Sequence, residues 1–267
     1  MKKYLIAGLV IAFDYRYDTY FKNNIEHYIY DGNKEVDHTI RLNYALELTE
    51  PKDGLFRIFS RSVSGVKSYM LYDEGYKNID IWIDEDTFTD AATAEYIYSG
   101  MIFLELAQRH GLVPIHGSAI SYDGEVILFA APSGTGKSTH AKMWKELYKN
   151  HVSWVNDDKP LLSFEGEDIF VYGAPFSGQY SSNSNQKLPL KAIVILQQGV
   201  TDKVTVLNEK EGLKHLMRNT LRPQEEKLWD HALQSFEKIL KRIPMYLLDA
   251  SLSTNAPKAI KKAIFNE

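Results

Sequence analysis

Apolar residues fall into two regimes along the chain. Up to residue 85 they form short runs rich in aromatic and β-branched side chains, at 4–13, 25–30, 38–48, 55–59 and 69–72. Turn signals such as Asp31-Gly32-Asn33 and Pro51-Lys52-Asp53-Gly54 separate them. Ile79, Ile81 and Ile83 alternate with Asp80 and Asp84, the period of a half-buried strand. These segments are expected to be strands paired in an antiparallel sheet. The period then changes. A helix is expected over 90–110, with Ile97, Met101 and Leu104 on one face, Asp90 at its N-cap and Gly111 at its C-cap. Beyond it, strand-like runs at 113–120, 126–131, 152–156, 169–172, 192–196 and 245–248 alternate with helical patterns. One helix follows residue 136, with Ala141, Trp144, Leu147 and Tyr148 at helical spacing. A second carries Leu228, Phe236, Ile239, Leu240 and Ile243, and a third closes the chain over 256–265. Strand and helix in alternation predict α/β layers. The expected organisation is a β-rich N-terminal region, 1–88, packed with a nucleotide-binding domain over 89–267.

Composition narrows the class. The 267 residues are 44% hydrophobic and 25% charged, ordinary for a globular protein, and the formal net charge of −4 argues against a general nucleic-acid binder. The chain has no cysteine, which excludes disulfides, thiolate metal sites and a cysteine nucleophile and fits a reducing, cytoplasmic setting. Met1-Lys2-Lys3 before an apolar stretch imitates a signal peptide. The stretch is too short to span a bilayer, however, and Asp14-Tyr15-Arg16-Tyr17 follows it instead of a small-residue cleavage site. A first β-strand is expected there and no membrane partner.

The chemistry concentrates in Ala131-Pro132-Ser133-Gly134-Thr135-Gly136-Lys137-Ser138, set between the apolar run 126–130 and a helical pattern. Strand, glycine-rich turn, Lys-Ser and helix in that order predict a phosphate-binding P-loop. Glycines let successive backbone amides turn toward phosphate oxygens, and the helix N-terminus adds its partial positive charge. Ser133, Gly134, Thr135, Gly136, Lys137, Ser138 and Thr139 are the expected nucleotide contacts. Lys137 would reach the β- and γ-phosphates of ATP, and the Ser138 hydroxyl would ligate Mg²⁺. Ala131 stands where the motif has its first glycine.

Asp157 and Asp158 follow the run at 152–156. A P-loop enzyme needs a carboxylate at the end of a neighbouring strand for Mg²⁺, and a kinase needs a group to accept the proton of the attacking hydroxyl; adjacent carboxylates could divide those tasks either way. His116, in Ile115-His116-Gly117-Ser118, is a further candidate. Arg218 and Arg222 sit near a helix end and are candidates for stabilising a transferring phosphoryl group. The stretch 173–183, rich in small and amide residues, reads as a loop or a lid.

Taken together, Ile115-His116-Gly117, the loop 131–139 and Asn156-Asp157-Asp158 resemble the HPr kinase/phosphorylase family in order and spacing. Ser133-Gly134-Thr135-Gly136-Lys137 also looks like the ATP-binding loop of phosphoenolpyruvate carboxykinases, which share that nucleotide-binding core. The likeness covers roughly 110–200. It implies an α/β P-loop core and an ATP- and Mg²⁺-dependent kinase. Lys137 would bind phosphate, Asp157 would be the acid/base, Asp158 would join Ser138 at the metal, and His116 would lie near the transferring phosphate. Thr139 departs from the glutamate usual after the loop serine in HPr kinases, and no counterpart of that family's later arginine segment is evident. The implied acceptor is a serine of a protein or peptide; small relatives of HPr kinase also occur with peptide-modification systems. A small-molecule kinase acting on a sugar or metabolite hydroxyl, and a non-catalytic ATP-binding regulatory module, are the alternatives. A homo-oligomer is left open.

Overall fold

The computed structural model describes residues 1–63, 65–85, 90–177, 182–251 and 253–266. They form two compact units, Met1–Leu106 and Ala107–Glu267. The boundary expected at 88 and 89 falls in 86–89, outside the described residues.

The first unit contains β1 (Lys2–Ile6), β2 (Leu9–Phe13), α1 (Asp18–Ile25), β3 (His38–Ala45), β4 (Leu55–Ser62), β5 (Gly65–Tyr72), β6 (Asn78–Asp84) and most of α2 (Ala91–Arg109). Three expectations are corrected here. The apolar run 4–13 is a hairpin and not one strand, because Ala7 and Gly8 both take positive φ and reverse the chain between β1 and β2. Residues 25–30 end α1 and enter a short 3₁₀ turn over Glu26–Tyr28. There Phe21, Ile25 and Tyr28 are buried, so their bulk serves a helical face. The sheet, ordered β1-β2-β3-β6-β5-β4, is mixed, since β3 runs parallel to both β2 and β6. Buried Glu95 on α2 accepts from the Arg16 and Tyr17 amides at 2.9 and 3.0 Å and from the Tyr44 hydroxyl. Three donors offset the cost of burying that carboxylate.

The second unit is a mixed α/β fold. Its elements are β7 (Val113–Pro114), β8 (Gly117–Tyr122), β9 (Glu125–Ala130), α3 (Lys137–Tyr148), β10 (Val152–Asp158), β11 (Leu161–Glu165), β12 (Asp168–Tyr172), β13 (Lys187–Gln198), β14 (Lys203–Val206), α4 (Glu209–Asn219), α5 (Glu226–Arg242), β15 (Met245–Ala250) and α6 (Asn255–Phe265). The central strands run β10-β8-β9-β13-β15-β14; β9, β13 and β15 are parallel, the other pairs antiparallel. Alternation along β9 sends Val126, Leu128 and Ala130 to one face and Ile127 and Phe129 to the other. The first face packs on Leu216 of α4 and Ala232, Phe236 and Ile239 of α5. The second packs on Ala141 and Trp144 of α3 and Ile260 and Ile264 of α6. The sheet is therefore apolar on both faces, and the chain's chemistry is confined to the strand ends.

Strand direction decides which residues share an end. β10 is antiparallel to β8, and β8 to β9, so β10 and β9 run the same way and finish at the same edge. Gly117 is the junction: it pairs with Ala130 on one side and Asp158 on the other. A Cβ there would lie 2.7 Å from the Phe129 carbonyl oxygen and 3.1 Å from Leu128 Cδ1. Gly117→Ala is accordingly expected to push β8 off β9 and to cost about 1–3 kcal/mol, as overpacking of a dense interior does. Chemical denaturation would read this loss directly, and unchanged stability would disprove the close approach.

Candidate active site

The loop between β9 and α3 turns on two glycines with positive φ, Gly134 at +77° and Gly136 at +106°. A side chain at either would be strained, whereas glycine adopts these angles freely. Gly136 is the N-cap of α3, and His140 N–H donates the first helical bond to its carbonyl at 2.8 Å. The amides of Lys137, Ser138 and Thr139 thus have no intrahelical acceptor. They open onto a pocket of about 500 Å³ lined by His116, Ser133, Gly134, Lys137, Ser138, Thr139, Asp157, Asp158 and Ser177 among others.

Lys137 is buried and folds back over the loop, donating to the Ala131 and Pro132 carbonyls at 3.0 and 3.2 Å and to His116 Nε2 at 3.0 Å. Burial lowers its pKa below the ordinary 10.5; Asp158 and Asp157 pull it upward, and Lys159 adds to the lowering. The ammonium is held against its own solvation cost.

The two aspartates occupy different environments. Asp157 is buried and receives two hydroxyls on Oδ1, Ser138 Oγ at 2.9 Å and Ser118 Oγ at close range. Asp158 ends β10 with φ +93°, a conformation few non-glycine residues adopt. Its Oδ1 lies 2.8 Å from Lys159 Nζ and 3.2 Å from His116 Nδ1. Burial pushes the Asp158 carboxyl up, but His116 and Lys159 outweigh it and hold the group below the usual carboxylate range. The tautomer of His116 follows from its neighbours. Lysine can only donate, so Nε2 accepts from Lys137 and Nδ1 carries the proton toward Asp158. Lys159 Nζ, 3.1 Å from Nδ1, then binds the carboxylate and not the ring. The main chain of this corner is fixed by buried Asn156, which donates to the Ala174 carbonyl at 2.7 Å and accepts from Lys159 N–H at 3.0 Å.

The residues singled out from sequence therefore meet at one strand edge, with three additions. Ser118 anchors Asp157, Lys159 pairs with Asp158, and Ser177 lines the pocket. Ser118 closes the Ile115-His116-Gly117-Ser118 motif, Lys159 follows the aspartate pair, and Ser177 lies in the stretch 173–183 read as a loop or lid. Of the two arginines, Arg218 lines a neighbouring cavity of about 770 Å³ with His215, His116 and Ser133, whereas Arg222 lines neither cavity. The centre of the expected lid, 178–181, lies outside the described residues.

The arrangement can be tested against the groups it would hold. Phosphate oxygens fit the loop, which offers helix-terminal amides and an ammonium that, among the described residues, bonds to two carbonyls and a histidine and to no carboxylate. A divalent cation fits more narrowly. Among the described residues no three His, Cys, Asp or Glu side chains are arranged to hold a metal ion, so the chain itself offers chiefly the Ser138 hydroxyl and Asp157. That sparse set suits Mg²⁺, which takes one or two carboxylates and completes its shell with phosphates and water.

Fold and edge chemistry together define a mixed α/β protein whose polar side chains gather around a glycine-rich strand-to-helix loop. The chain belongs to the family of the SynChlorMet cassette protein ScmC, whose model matches residues 83–266. Among solved structures, it is similar to the Hpr(Ser) kinase/phosphatase from Coxiella burnetii at 11% identity, with 57% of this chain and 94% of that chain covered and a TM-score of 0.35. A search of curated proteins finds no match. No helix among the described residues is long and apolar enough to cross a membrane.

Proposed function

We propose that the protein is an ATP-dependent phosphotransferase that moves the γ-phosphoryl group to a hydroxyl, with a serine of a protein or peptide as acceptor. The observation that carries this reading is the convergence of Lys137, the Ser138–Asp157 pair and the Asp158–His116–Lys159 cluster on one pocket. Binding alone needs the loop; it does not need a second carboxylate with its own oriented histidine.

Bound ATP would supply the phosphoryl group, and Mg²⁺ would neutralise charge on its β- and γ-oxygens. The loop amides and Lys137 would hold the phosphates. Ser138 and Asp157 would hold the cation, an assignment favoured by their 2.9 Å contact. Asp158 would orient the acceptor hydroxyl and take its proton as the acceptor oxygen bonds to phosphorus and the bond to the departing ADP oxygen breaks. A carboxylate of lowered pKa suffices, because phosphoryl transfer draws mainly on positioning and electrostatics and little on base strength. His116 would fix Asp158 from one side and Lys137 from the other. The acceptor would approach through the cavity that Arg218 and His215 share with His116 and Ser133.

Incubating the full chain with γ-³²P-ATP and Mg²⁺ in a mixture of host proteins, peptides and metabolites tests this. Label is expected in a protein or peptide with wild type and absent with Asp158→Asn. Label in a small metabolite would replace the acceptor by a sugar or metabolite hydroxyl. Nucleotide binding without transfer to any class would leave a regulatory ATP-binding module instead.

A further inference from the structure

Three cavities meet at the loop. The phosphate pocket opens on one side into the cavity with Arg218 and on the other, past Thr139, into a third of about 440 Å³. The third is walled by His140 and Met143 of α3 and by Leu196, Gln197, Gln198, Ala250 and Ser251 at the ends of β13 and β15. Its rim is braced: Asp202 accepts from the Ser251 amide and hydroxyl at 2.9 and 2.8 Å and from Ser253 Oγ at 2.7 Å. His140 is the unusual member. It is 3% exposed, packs edge-on against Phe129, and accepts from Trp144 Nε1–H at 3.3 Å through Nε2. The ring's proton is then on Nδ1, which leaves that nitrogen a donor beside the cavity.

We propose that this third cavity is the nucleoside subsite and that His140 reads a purine base by donating Nδ1–H to a ring acceptor. The inference rests on the phosphotransferase reading, which sets the reacting end of the triphosphate at His116 and Asp158. The other end must then leave across the first turn of α3, and Thr139 is common to the phosphate pocket and this cavity. Met143, Leu196 and Ala250 supply apolar walls for a flat ring. The Gln198 carboxamide, which alternation along β13 places on the α3 side with Val194 and Leu196, can both donate and accept. Polar groups on the helix wall and on the sheet wall suit a base with two polar edges, which a purine has. The volume is that of a preformed small-ligand site, in which few polar groups fix orientation. Nucleotide choice would thus lie with residues outside the glycine-rich loop.

Calorimetric titration of the full chain with ATP, CTP and inorganic tripolyphosphate, each with Mg²⁺, separates the subsite from the phosphate site. Wild type should bind ATP more tightly than CTP. His140→Phe keeps the aromatic packing and removes the donor; it should weaken ATP about 3–10-fold, the span of one hydrogen bond. Met143→Trp, at a half-buried position, fills the cavity and should weaken ATP by at least about 10-fold. Tripolyphosphate should bind all three proteins alike. Because His140→Phe leaves Trp144 Nε1 unpaired and could disturb the helix, imidazole ¹⁵N–¹H spectra of wild type supply an independent reading. The His140 Nδ1 resonance should move with ATP and stay with tripolyphosphate. Equal losses for ATP and tripolyphosphate, unaltered ATP binding by Met143→Trp, or a resonance indifferent to ATP would overturn the subsite while leaving the phosphotransferase reading standing. Failure of wild type to bind ATP or tripolyphosphate would overturn both.

Discussion

Replacing Lys137 by methionine should abolish phosphoryl transfer while sparing the fold. The expected loss is about 10³-fold in kcat, roughly 4 kcal/mol, the scale on which a preorganised charge acts on a transition state in a water-poor site. The structural side of the prediction is less intuitive. A buried ammonium with a lowered pKa is a burden on the native state, because folding disfavours its charged form. The sign follows from proton counting. Between the lowered folded value and the ordinary 10.5, the unfolded chain binds the extra proton, so wild-type stability rises with pH across that interval. Methionine has the length and none of the solvation cost. At neutral pH Lys137→Met should therefore melt no lower than wild type, and any advantage should shrink as pH approaches 10.5. Of the two carbonyls that lose a donor, that of Pro132 borders the neighbouring cavity, where water can replace it, whereas Ala131 is fully buried. Melting curves at neutral and alkaline pH, taken beside the transfer assay, check both halves. A variant that unfolds would make Lys137 a structural clamp; one that still transfers phosphate would remove it from the chemistry.

How much of this was legible beforehand depends on how local the signal is. The strand-loop-helix around Gly134 and Gly136 is written in consecutive residues, as is the amphipathic face of α5; the face expected of α2 is corrected, since Ile97 and Met101 are exposed while Ile102, Phe103, Leu106 and Ala107 join Leu104 in the interior. Pairing partners are not. That β3 is parallel to its neighbours, or that β10 reaches the same edge as β9 only through antiparallel β8, depends on contacts far apart in sequence. The apolar run 4–13 concealed its turn because Ala7, which takes a positive φ beside Gly8, is not a turn residue by composition. Residues 25–30 were misjudged because isoleucine and tyrosine favour strands only where a pleated surface awaits them. At the site, His116, Lys137 and the aspartates came from motifs. Ser118, Lys159 and the cavity walls from α4 and β13 came from register and packing, so the identity of the partners each aspartate meets was invisible until the strands were aligned.

That difference in partners separates the two carboxylates experimentally. Resemblance to HPr kinases implies Asp157 as acid/base and Asp158 at the metal; the contacts here favour the reverse. Asp157 shares an oxygen with the Ser138 and Ser118 hydroxyls deep in the pocket wall, where a cation-binding carboxylate belongs. Asp158 is the more accessible and is steered by His116. Asp158→Asn should lower kcat about 10²–10⁴-fold, the usual worth of a positioned general base, and leave the Mg²⁺ requirement unchanged. Asparagine tolerates positive φ, so the strained backbone at +93° should survive. Asp157→Asn should instead raise the Mg²⁺ concentration needed for half-maximal rate, with much of kcat recovered at saturation. Because His116 and Lys159 hold the Asp158 carboxyl below its ordinary 3.8 despite burial, the acid limb of the wild-type rate profile should lie below that value. Above it the base stays ionised, and the same pairing stabilises the fold until the pH falls through the lowered pKa. Rates measured across Mg²⁺ and pH for the two variants decide the matter. A kcat loss in Asp157→Asn that no amount of Mg²⁺ repairs, beside an Asp158→Asn whose only defect is in Mg²⁺ affinity, would restore the assignment that the resemblance implies.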